Sequence, residues 1–434
     1  MSGPTYWAAR ALLPDGILPG VVIDCGEDGR IAAVRTGVGR PPPGAVVLGG
    51  PDGLLLPGLV DGHSHAFHRA LRGRAEGQDF WAWRSAMYRL AGGLDPDGLL
   101  ALATAAFGEL LLAGITTVHE FHYLHHPAGM DDAVCEAARR AGIRLVLLDT
   151  CYLRTGFDDA PLDPVQRRFA DGDVERWAAR AERVTAANPD VVVGAAVHSV
   201  RAVDPDDMAT VAAWARERVV PLHLHLSEQP AENAACLAAT GRSPAQLADD
   251  HGVLGPGTTA VHCTHVTDED IALLGSNGTA ACLCPTTERD LADGIGPAAA
   301  LAGAGCRLRL GTDSHAVVDL FEETRAVEMD ERLATGRRGH HEPAALLAAA
   351  TAGADLVAGA VADLCAVRLD GVRLAGVDHD DPVPMLVAAA SAADVADVVV
   401  GGRHVVRDGD HERLDVAAAL RAAIAGVGEP CGTS

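Results

Sequence analysis

The chain of 434 residues is long enough for an α/β barrel, which takes about 250 residues, together with a smaller companion domain. Hydrophobic residues make up 48% of the chain and charged residues 22%, close to the usual composition of globular proteins. The net charge of −24 argues against nucleic acid and anionic membranes as partners, because both select basic surfaces.

The basic residues are 35 arginines, and the chain contains no lysine. This composition excludes Schiff-base chemistry and a carboxylated-lysine metal bridge. The ten cysteines form no CxxC pair, and the N-terminal residues lack the charged and apolar regions of a signal peptide. We therefore expect reduced cysteines and a cytoplasmic location.

Short runs with β-strand character, separated by glycine and proline turns, occur at both ends of the chain. Near the start they cover residues 21–24, 31–34 and 45–48. Near the end they cover residues 364–369, 395–400 and 404–406. Both ends of the chain are therefore predicted to form β-structure.

The middle of the chain alternates apolar runs with alanine-rich helical stretches such as residues 130–141 and 173–187. Alternation of this kind predicts a parallel sheet covered by helices. About eight such units fit between residues 57 and 360, which suggests a closed (β/α)8 barrel. The apolar runs that we assign to strands are residues 144–148, 191–196, 221–226, 259–261, 279–283 and 306–310.

One apolar stretch, residues 99–118, has about the length of a membrane span. Glu109 and Gly114 interrupt it, and the β-branched residues 115–118 are typical of a strand. We interpret the stretch as a buried helix that runs into a strand, and we predict no membrane association.

Polar side chains stand at the ends of the predicted strands. His63 and His65 are two residues apart, so on a strand they point the same way and can bind one ion. A single His-x-His motif taken by itself is weak evidence for a metal site. His225 and Glu228 close a later strand, and there His223 shares the strand phase of His225 and remains an alternative ligand.

Two later strand ends carry His262 with His265, and Asp313. Each alone is typical of a core histidine or a helix N-cap, but their order along successive strands favours a common site. Three imidazoles and a carboxylate that leave one coordination position of the metal open make a mononuclear zinc site of the catalytic type. Such a site lowers the pKa of a bound water to about 7. The same ligands also accept other divalent metals.

In these motifs, and over essentially its whole length, the sequence resembles the amidohydrolase superfamily, specifically its mononuclear deaminase branch. The resemblance implies a (β/α)8 TIM barrel over residues 57–360 and a small β-sandwich built from residues 1–56 and 361–434. It also suggests a homodimer. It implies that His63, His65, His225 and Asp313 bind one zinc ion and that Glu228, His262 and Asp313 handle protons.

Four strings, at residues 63–70, 80–84, 120–126 and 198–203, closely resemble those of formimidoylglutamate deiminases. The resemblance implies a small acidic amidine substrate, N-formimino-L-glutamate. Its two carboxylates suit guanidinium groups, which bind carboxylates through two hydrogen bonds. Without these strings, Arg84 would be interpreted as a surface residue and Tyr123 as a core aromatic. The side chains implied to hold the substrate are His68, Arg84, Tyr123, His198 and Arg201.

The sequence departs from this family's pattern at two places. His68 stands where glutamine is often found, and Arg289 with Asp290 stands where alanine and asparagine are often found.

Two other functions remain open. A deaminase of nucleobases or related amidines would favour stacking aromatics, which make up 4% of the chain. A non-catalytic metal-binding barrel would have no use for Glu228 and His262.

Overall fold

The computed structural model describes residues 3–74, 80–158 and 160–427, so residues 428–434 of the predicted C-terminal part lie outside it. The N-terminal part of the described chain contains five strands: β1 (Thr5–Leu13), β2 (Gly16–Cys25), β3 (Ile31–Arg35), β4 (Val46–Val47) and β5 (Leu54–Pro57). The strands of the middle part are β6 (Leu59–Ser64), β7 (Ile115–His122), β8 (Arg144–Cys151), β9 (Val192–Ser199), β10 (Leu222–Leu226), β11 (Thr258–His262), β12 (Ala280–Leu283) and β13 (Leu308–Leu310).

The helices that accompany these strands are α1 (Phe80–Gly93), α2 (Pro96–Leu112), α3 (Met130–Ala141), α4 (Val174–Ala187), α5 (Pro205–Arg218), α6 (Pro230–Thr240), α7 (Pro244–Asp250), α8 (Asp268–Ser276), α9 (Pro285–Asp290), α10 (Ala298–Gly303), α11 (Leu320–Thr335) and α12 (Pro343–Ala350). The C-terminal elements are β14 (Leu364–Val367), α13 (Val383–Ala389), β15 (Val395–Val400), β16 (Arg403–Arg407), β17 (Asp410–His411) and α14 (Val416–Gly426). Short 3-10 helices cover Ala66–Leu71, Gln166–Arg168, Val372–Leu374 and Ala392–Asp394.

Strands β6 to β13 form a parallel sheet in sequence order, which confirms the predicted barrel. The sheet closes where β6 meets the chain beyond β13. There the Asp313 N–H donates to the His63 carbonyl at 2.9 Å, and the His65 N–H donates to the Asp313 carbonyl at 3.0 Å. Three of the four predicted metal ligands, His63, His65 and Asp313, therefore lie on the seam of the barrel itself.

The interpretation of residues 99–118 is confirmed by α2 and β7. Asp95 caps α2 by accepting the Gly98 N–H, and Pro96 occupies the first turn, where its missing N–H costs nothing. Phe107 in this helix is fully buried, which stabilises the fold by about 1.5–3 kcal/mol. No helix in the described ranges is long and apolar enough to cross a bilayer.

The two ends of the chain build the small β domain together. Its strands follow the order β17-β16-β15-β14-β5-β1-β2-β3, with β4 beside β1, in one mixed sheet. The antiparallel pairing of β5 with β14 joins the two halves. The barrel with its small β domain agrees with the predicted fold class. Strand β1 was not predicted, although Pro14 and Asp15 mark its tight turn into β2.

An ion pair fixes the β domain against the amino ends of the barrel strands. Arg144, the first residue of β8, contacts Asp363 through two hydrogen bonds of 2.8 and 3.0 Å. The Asp363 carbonyl also accepts the Gly58 N–H at 2.9 Å. Because the β domain contacts this end, it leaves the carboxyl ends of the strands free for a site.

Candidate metal centre and substrate cavity

The four predicted metal ligands converge at the carboxyl ends of three barrel strands. His63 and His65 come from the end of β6, His225 from β10, and Asp313 from the segment after β13. The Nε2 atoms of His63 and His225 are 3.1 Å apart. Asp313 Oδ1 lies 3.4 Å from Nε2 of His63 and 3.4 Å from Nε2 of His65.

The hydrogen bonds of the rings show which nitrogens face the centre. His65 Nδ1 lies 2.8 Å from the Phe121 carbonyl, and His225 Nδ1 lies 2.9 Å from the His198 carbonyl. A carbonyl only accepts, so both Nδ1 atoms carry the hydrogen and both Nε2 lone pairs point inward. Two ligands that are each about 2.1 Å from zinc at a tetrahedral angle lie about 3.4 Å apart. The donor set therefore fits a single divalent cation.

Burial keeps these imidazoles neutral. It lowers the pKa of His63, His65 and His225 well below the ordinary value for histidine, and the neighbouring histidines lower the pKa further. A neutral ring offers a lone pair at neutral pH, which is the form that binds a metal ion.

The three residues predicted to handle protons surround the same point. His262, at the end of β11, has its Nε2 atom 3.9 Å from Glu228 Oε1 and 3.8 Å from Asp313 Oδ2. Burial favours the neutral His262 ring, but Glu228, Glu288 and Asp313 together raise its pKa well above the ordinary value. Burial raises the pKa of both Glu228 and Asp313, while His262 opposes this shift. The three groups can hold and exchange a proton close to the metal centre.

The backbone is strained where these side chains are placed. Ser227, His262 and Asp313 have φ values of 53°, 70° and 43°, in the left-handed region that residues with a Cβ rarely adopt. Such positions cluster at functional sites, where the surrounding structure holds them. Two of these residues, His262 and Asp313, carry side chains that reach the centre.

The cavity above the metal centre has a volume of about 270 Å³. All of the sequence-predicted site residues line it except His63, which is fully buried beneath it. The residues that line it include His65, His225, Asp313, Glu228, His262, His68, Arg84, Tyr123, His198 and Arg201.

The predicted substrate residues are held by contacts with one another and with their neighbours. His68 Nε2 lies 2.8 Å from the Tyr123 hydroxyl, and burial lowers the pKa of His68 to about 3. Arg84 Nη2 donates to the Tyr88 hydroxyl at 2.7 Å and forms no ion pair with any described residue. Arg201 Nε lies 3.8 Å from Glu232 Oε1. Two guanidinium groups therefore face the cavity.

The model of the amidohydrolase family matches residues 54–405 of this chain. The chain belongs to the amidohydrolase family. It is 36% identical to formimidoylglutamate deiminase from Pseudomonas aeruginosa, over 93% of this chain and 95% of the relative. It is 33% identical to 8-oxoguanine deaminase from the same organism, over 91% of both chains. The crystal structure of an amidohydrolase from Brucella melitensis superposes with a TM-score of 0.89 at 31% identity, covering 98% of this chain and 99% of that one.

Several residues that line this amidohydrolase cavity or contact its lining are not predicted from the sequence. Glu232, in the first turn of α6, faces Arg201, and Tyr152 follows β8 and accepts a hydrogen bond from Gln166 at 3.0 Å. Glu288 lies 3.3 Å from His262 Nδ1. Glu232 and Gln166 lie in segments with no strand end or motif to mark them. Tyr152 closes an apolar run in the way that the predicted residues do, so its position was available as a signal.

Three residues that the sequence left open lie outside the metal centre. His223 points into a different cavity at the amino ends of the strands, so His225 is the residue of that strand that reaches the centre. His265 Nε2 contacts the Asp293 carbonyl at 2.7 Å. Arg289 forms an ion pair with Asp330 at 2.8 Å, away from the substrate cavity. The departure at Arg289 therefore does not change the cavity lining.

A second cluster of metal-binding residue types contains His122, His125 and Asp131. Arg180 Nη1 lies 3.1 Å from Asp131 Oδ1 and 2.7 Å from Asp149 Oδ2. A guanidinium already supplies the positive charge there, so the cluster is a buried ion-pair network that supports β7 and β8.

Proposed function

We propose that this amidohydrolase hydrolyses N-formimino-L-glutamate to N-formyl-L-glutamate and ammonia. The observation that carries the proposal is that Arg84 and Arg201 face the same cavity as the metal donor set. The substrate has one carboxylate on its α-carbon and one on its side chain, and each suits a guanidinium. The relative that is 36% identical is named for this activity.

The size and charge of the cavity support a small anionic substrate. A volume of about 270 Å³ lies just below the usual range of about 300–1,000 Å³ for small-molecule sites, which favours an amino-acid derivative over a nucleoside. The chain as a whole carries a net charge of −24 and repels acidic molecules. Arginines inside the cavity overcome this repulsion locally.

We propose zinc as the metal, since three imidazoles and one carboxylate with an open position are typical of catalytic zinc sites. When bound, such an ion acidifies a coordinated water so that the water can attack a carbon at neutral pH. His63, His65, His225 and Asp313 would hold it.

The residues around the donor set divide the proton transfers. Asp313 Oδ2, near His262 Nε2, would accept the proton of the attacking water. His262, with its raised pKa, would donate a hydrogen bond to the oxygen in the tetrahedral adduct. Glu228, whose pKa burial raises, would carry a proton to the departing nitrogen, so that ammonia leaves.

A specific observation favours a second candidate, deamination of a nucleobase. Aromatic side chains stack on bases, and six aromatic residues are among the described residues that line the cavity: Trp81, Trp83, Tyr88, Tyr123, Tyr152 and Phe169. The sequence therefore underestimated this alternative, because a low aromatic content of the whole chain does not set the content of one cavity. The relative named 8-oxoguanine deaminase represents this class.

One experiment decides between hydrolysis of formiminoglutamate and deamination of a nucleobase. It measures ammonia release by zinc-loaded protein from N-formimino-L-glutamate, 8-oxoguanine, guanine, cytosine and adenosine. Selective turnover of formiminoglutamate supports the proposal. Turnover of a base alone would overturn the substrate assignment and keep the deaminase chemistry.

Two substitutions accompany this assay. Arg201→Met should raise KM for formiminoglutamate by about 10- to 100-fold, because a charge-assisted hydrogen-bonded pair contributes about 1.5–3 kcal/mol, while bound zinc stays unchanged. Arg176→Met, at a side chain that is 73% exposed, is the matched control and should behave as the parent enzyme. Loss of zinc from Arg201→Met would contradict its assignment to the substrate.

A further inference from the structure

A second cavity, of about 420 Å³, lies at the amino ends of the barrel strands. It is lined by His119 of β7, His223 of β10, Arg309 of β13, Arg307 just before that strand, and Arg216 of α5. None of its lining residues belongs to the cavity above the metal centre. The proposed deaminase activity makes no use of it.

Two buried histidines in this lining lack hydrogen-bond partners. His223 is 1% exposed, and neither of its ring nitrogens has a partner among the described residues. His119 is 8% exposed, and its Nδ1 atom also has none. The two rings lie 5.4 Å apart. Buried polar atoms are normally paired, so these nitrogens point to a polar ligand that enters the cavity.

The charge of the cavity is positive and uncompensated. Its lining contains three arginines and no aspartate or glutamate. Arg309 has no hydrogen bond or ion pair with any residue in the described ranges. Arg216 and Arg307 donate to the carbonyls of Gly252 and Pro256, at 2.6 and 2.7 Å, which fixes their positions without neutralising them.

The kind of ligand follows from these donors. A cation would be repelled by three guanidinium groups, and an apolar ligand would leave the histidine nitrogens unpaired. Burial, together with the charge of Arg309, lowers the pKa of His119 to about 3, so its ring is neutral and offers one N–H donor. Guanidinium and imidazole N–H groups in a confined space match the oxygens of a compact anion.

We propose that this cavity is a binding site for a compact oxyanion, such as inorganic phosphate or a small carboxylate, held by Arg309 and Arg307 with His119 and His223. His223 and the metal ligand His225 are two residues apart on β10, a distance of about 7 Å along a strand. The anion would bind on the opposite side of the barrel interior from the substrate.

The test measures binding of inorganic phosphate and of acetate to the zinc-loaded protein by calorimetry and by thermal unfolding, with sodium chloride at matched ionic strength. We expect saturable binding with the parent protein. Arg309→Met should weaken it by at least tenfold, and Arg201→Met, in the other cavity, should leave it unchanged within twofold. The two anions separate a preference for tetrahedral oxyanions from one for carboxylates.

Arg307→Met provides a second variant at an exposed position, in case Arg309→Met fails to fold. It should also weaken binding by several-fold. Binding that is lost in Arg201→Met but kept in Arg309→Met would place the anion above the metal centre and overturn the proposal. Stabilisation no greater than that produced by chloride would overturn it as well. Neither result depends on which substrate the enzyme deaminates.

Discussion

Arg201 is held next to a carboxylate that would compete for it with a carboxylate of the proposed substrate. Glu232 Oε1 lies 3.8 Å from Arg201 Nε and has no hydrogen bond among the described residues. Burial raises the pKa of Glu232 to about 7, although Arg201 opposes this shift. Glu232 is therefore neutral below about pH 7 and negatively charged above it. If Arg201 binds a carboxylate of the substrate, as proposed, its availability would depend on this proton.

We predict that Glu232→Gln lowers KM for formiminoglutamate by about threefold to tenfold at pH 8 and has little effect at pH 6. The amide removes the charge that competes for Arg201, and that charge exists only above the pKa of Glu232. Steady-state kinetics at both pH values measure the effect. Glu217→Gln, at a side chain that is 75% exposed, is the control. A higher KM in Glu232→Gln at pH 8 would show that Glu232 binds substrate instead.

The hydrogen bond between His68 and Tyr123 predicts which substitutions of His68 the enzyme tolerates. Its ring contacts the Tyr123 hydroxyl at 2.8 Å and is neutral at assay pH, because burial lowers its pKa to about 3. A glutamine amide can make the same hydrogen bond. We predict that His68→Gln keeps kcat/KM within about threefold, whereas His68→Ala loses about tenfold or more by leaving Tyr123 without this partner. Equal losses in both variants, measured by ammonia release, would show that the imidazole itself is required.

At the level of elements, the seam between β6 and the segment after β13 positions three of the predicted metal ligands, His63, His65 and Asp313. The Ser64 hydroxyl lies 2.8 Å from Glu120 Oε2 and 2.9 Å from His315 Nε2, so it joins β6, β7 and the Asp313 segment. Asp61 accepts from the Thr312 hydroxyl at 2.6 Å on the same seam. Among the described residues, the only backbone pairing across this seam is the isolated bridge between Ser64 and Asp313. The side-chain hydrogen bonds therefore add to a seam that has little strand pairing.

Ser64→Ala is therefore expected to destabilise the protein by about 1–3 kcal/mol, because it leaves buried polar atoms of Glu120 and His315 unpaired. It should also weaken zinc binding, since both strands of the seam carry ligands. Thermal unfolding and a competitive zinc titration measure the two effects. Ser276→Ala, at the surface end of α8, removes an exposed hydroxyl of the same size and should change neither. Unchanged zinc affinity in Ser64→Ala would contradict a positioning role for the seam.

For the whole molecule, the predicted metal ligands come from both ends of the barrel sheet, so a bound ion would link these ends and should contribute to global stability. Neutral ring nitrogens and a carboxylate face one another within 3.1 to 3.4 Å, an arrangement that a cation stabilises. The β domain holds the opposite ends of the strands through Arg144 and Asp363. The homodimer that the sequence resemblance suggests remains a prediction, which light scattering can test.

Removal of the metal with a chelator is expected to lower the unfolding temperature, and added zinc should restore it. Binding to the folded state alone stabilises by about 4 kcal/mol at a free zinc concentration of 1,000 times Kd. His225→Ala should show no zinc-dependent rise. His126→Ala, at a side chain that is 44% exposed, should keep it. A zinc-dependent rise in His225→Ala would place the stabilising ion elsewhere.

The sequence by itself determined the barrel, because strand and helix periodicity are local properties that repeat along the chain. It also determined which residue types stand at strand ends, and barrel geometry brings strand ends together. Local patterns could not place Glu232, Gln166 or Glu288, since their positions depend on how helices and loops fold over the barrel. Nor could they separate His223 from His225, which share a strand and a phase. Only the tertiary structure decided that His225 lies with His63 and Asp313 while His223 lies among arginines, because two residues along a strand span the distance between the two cavities.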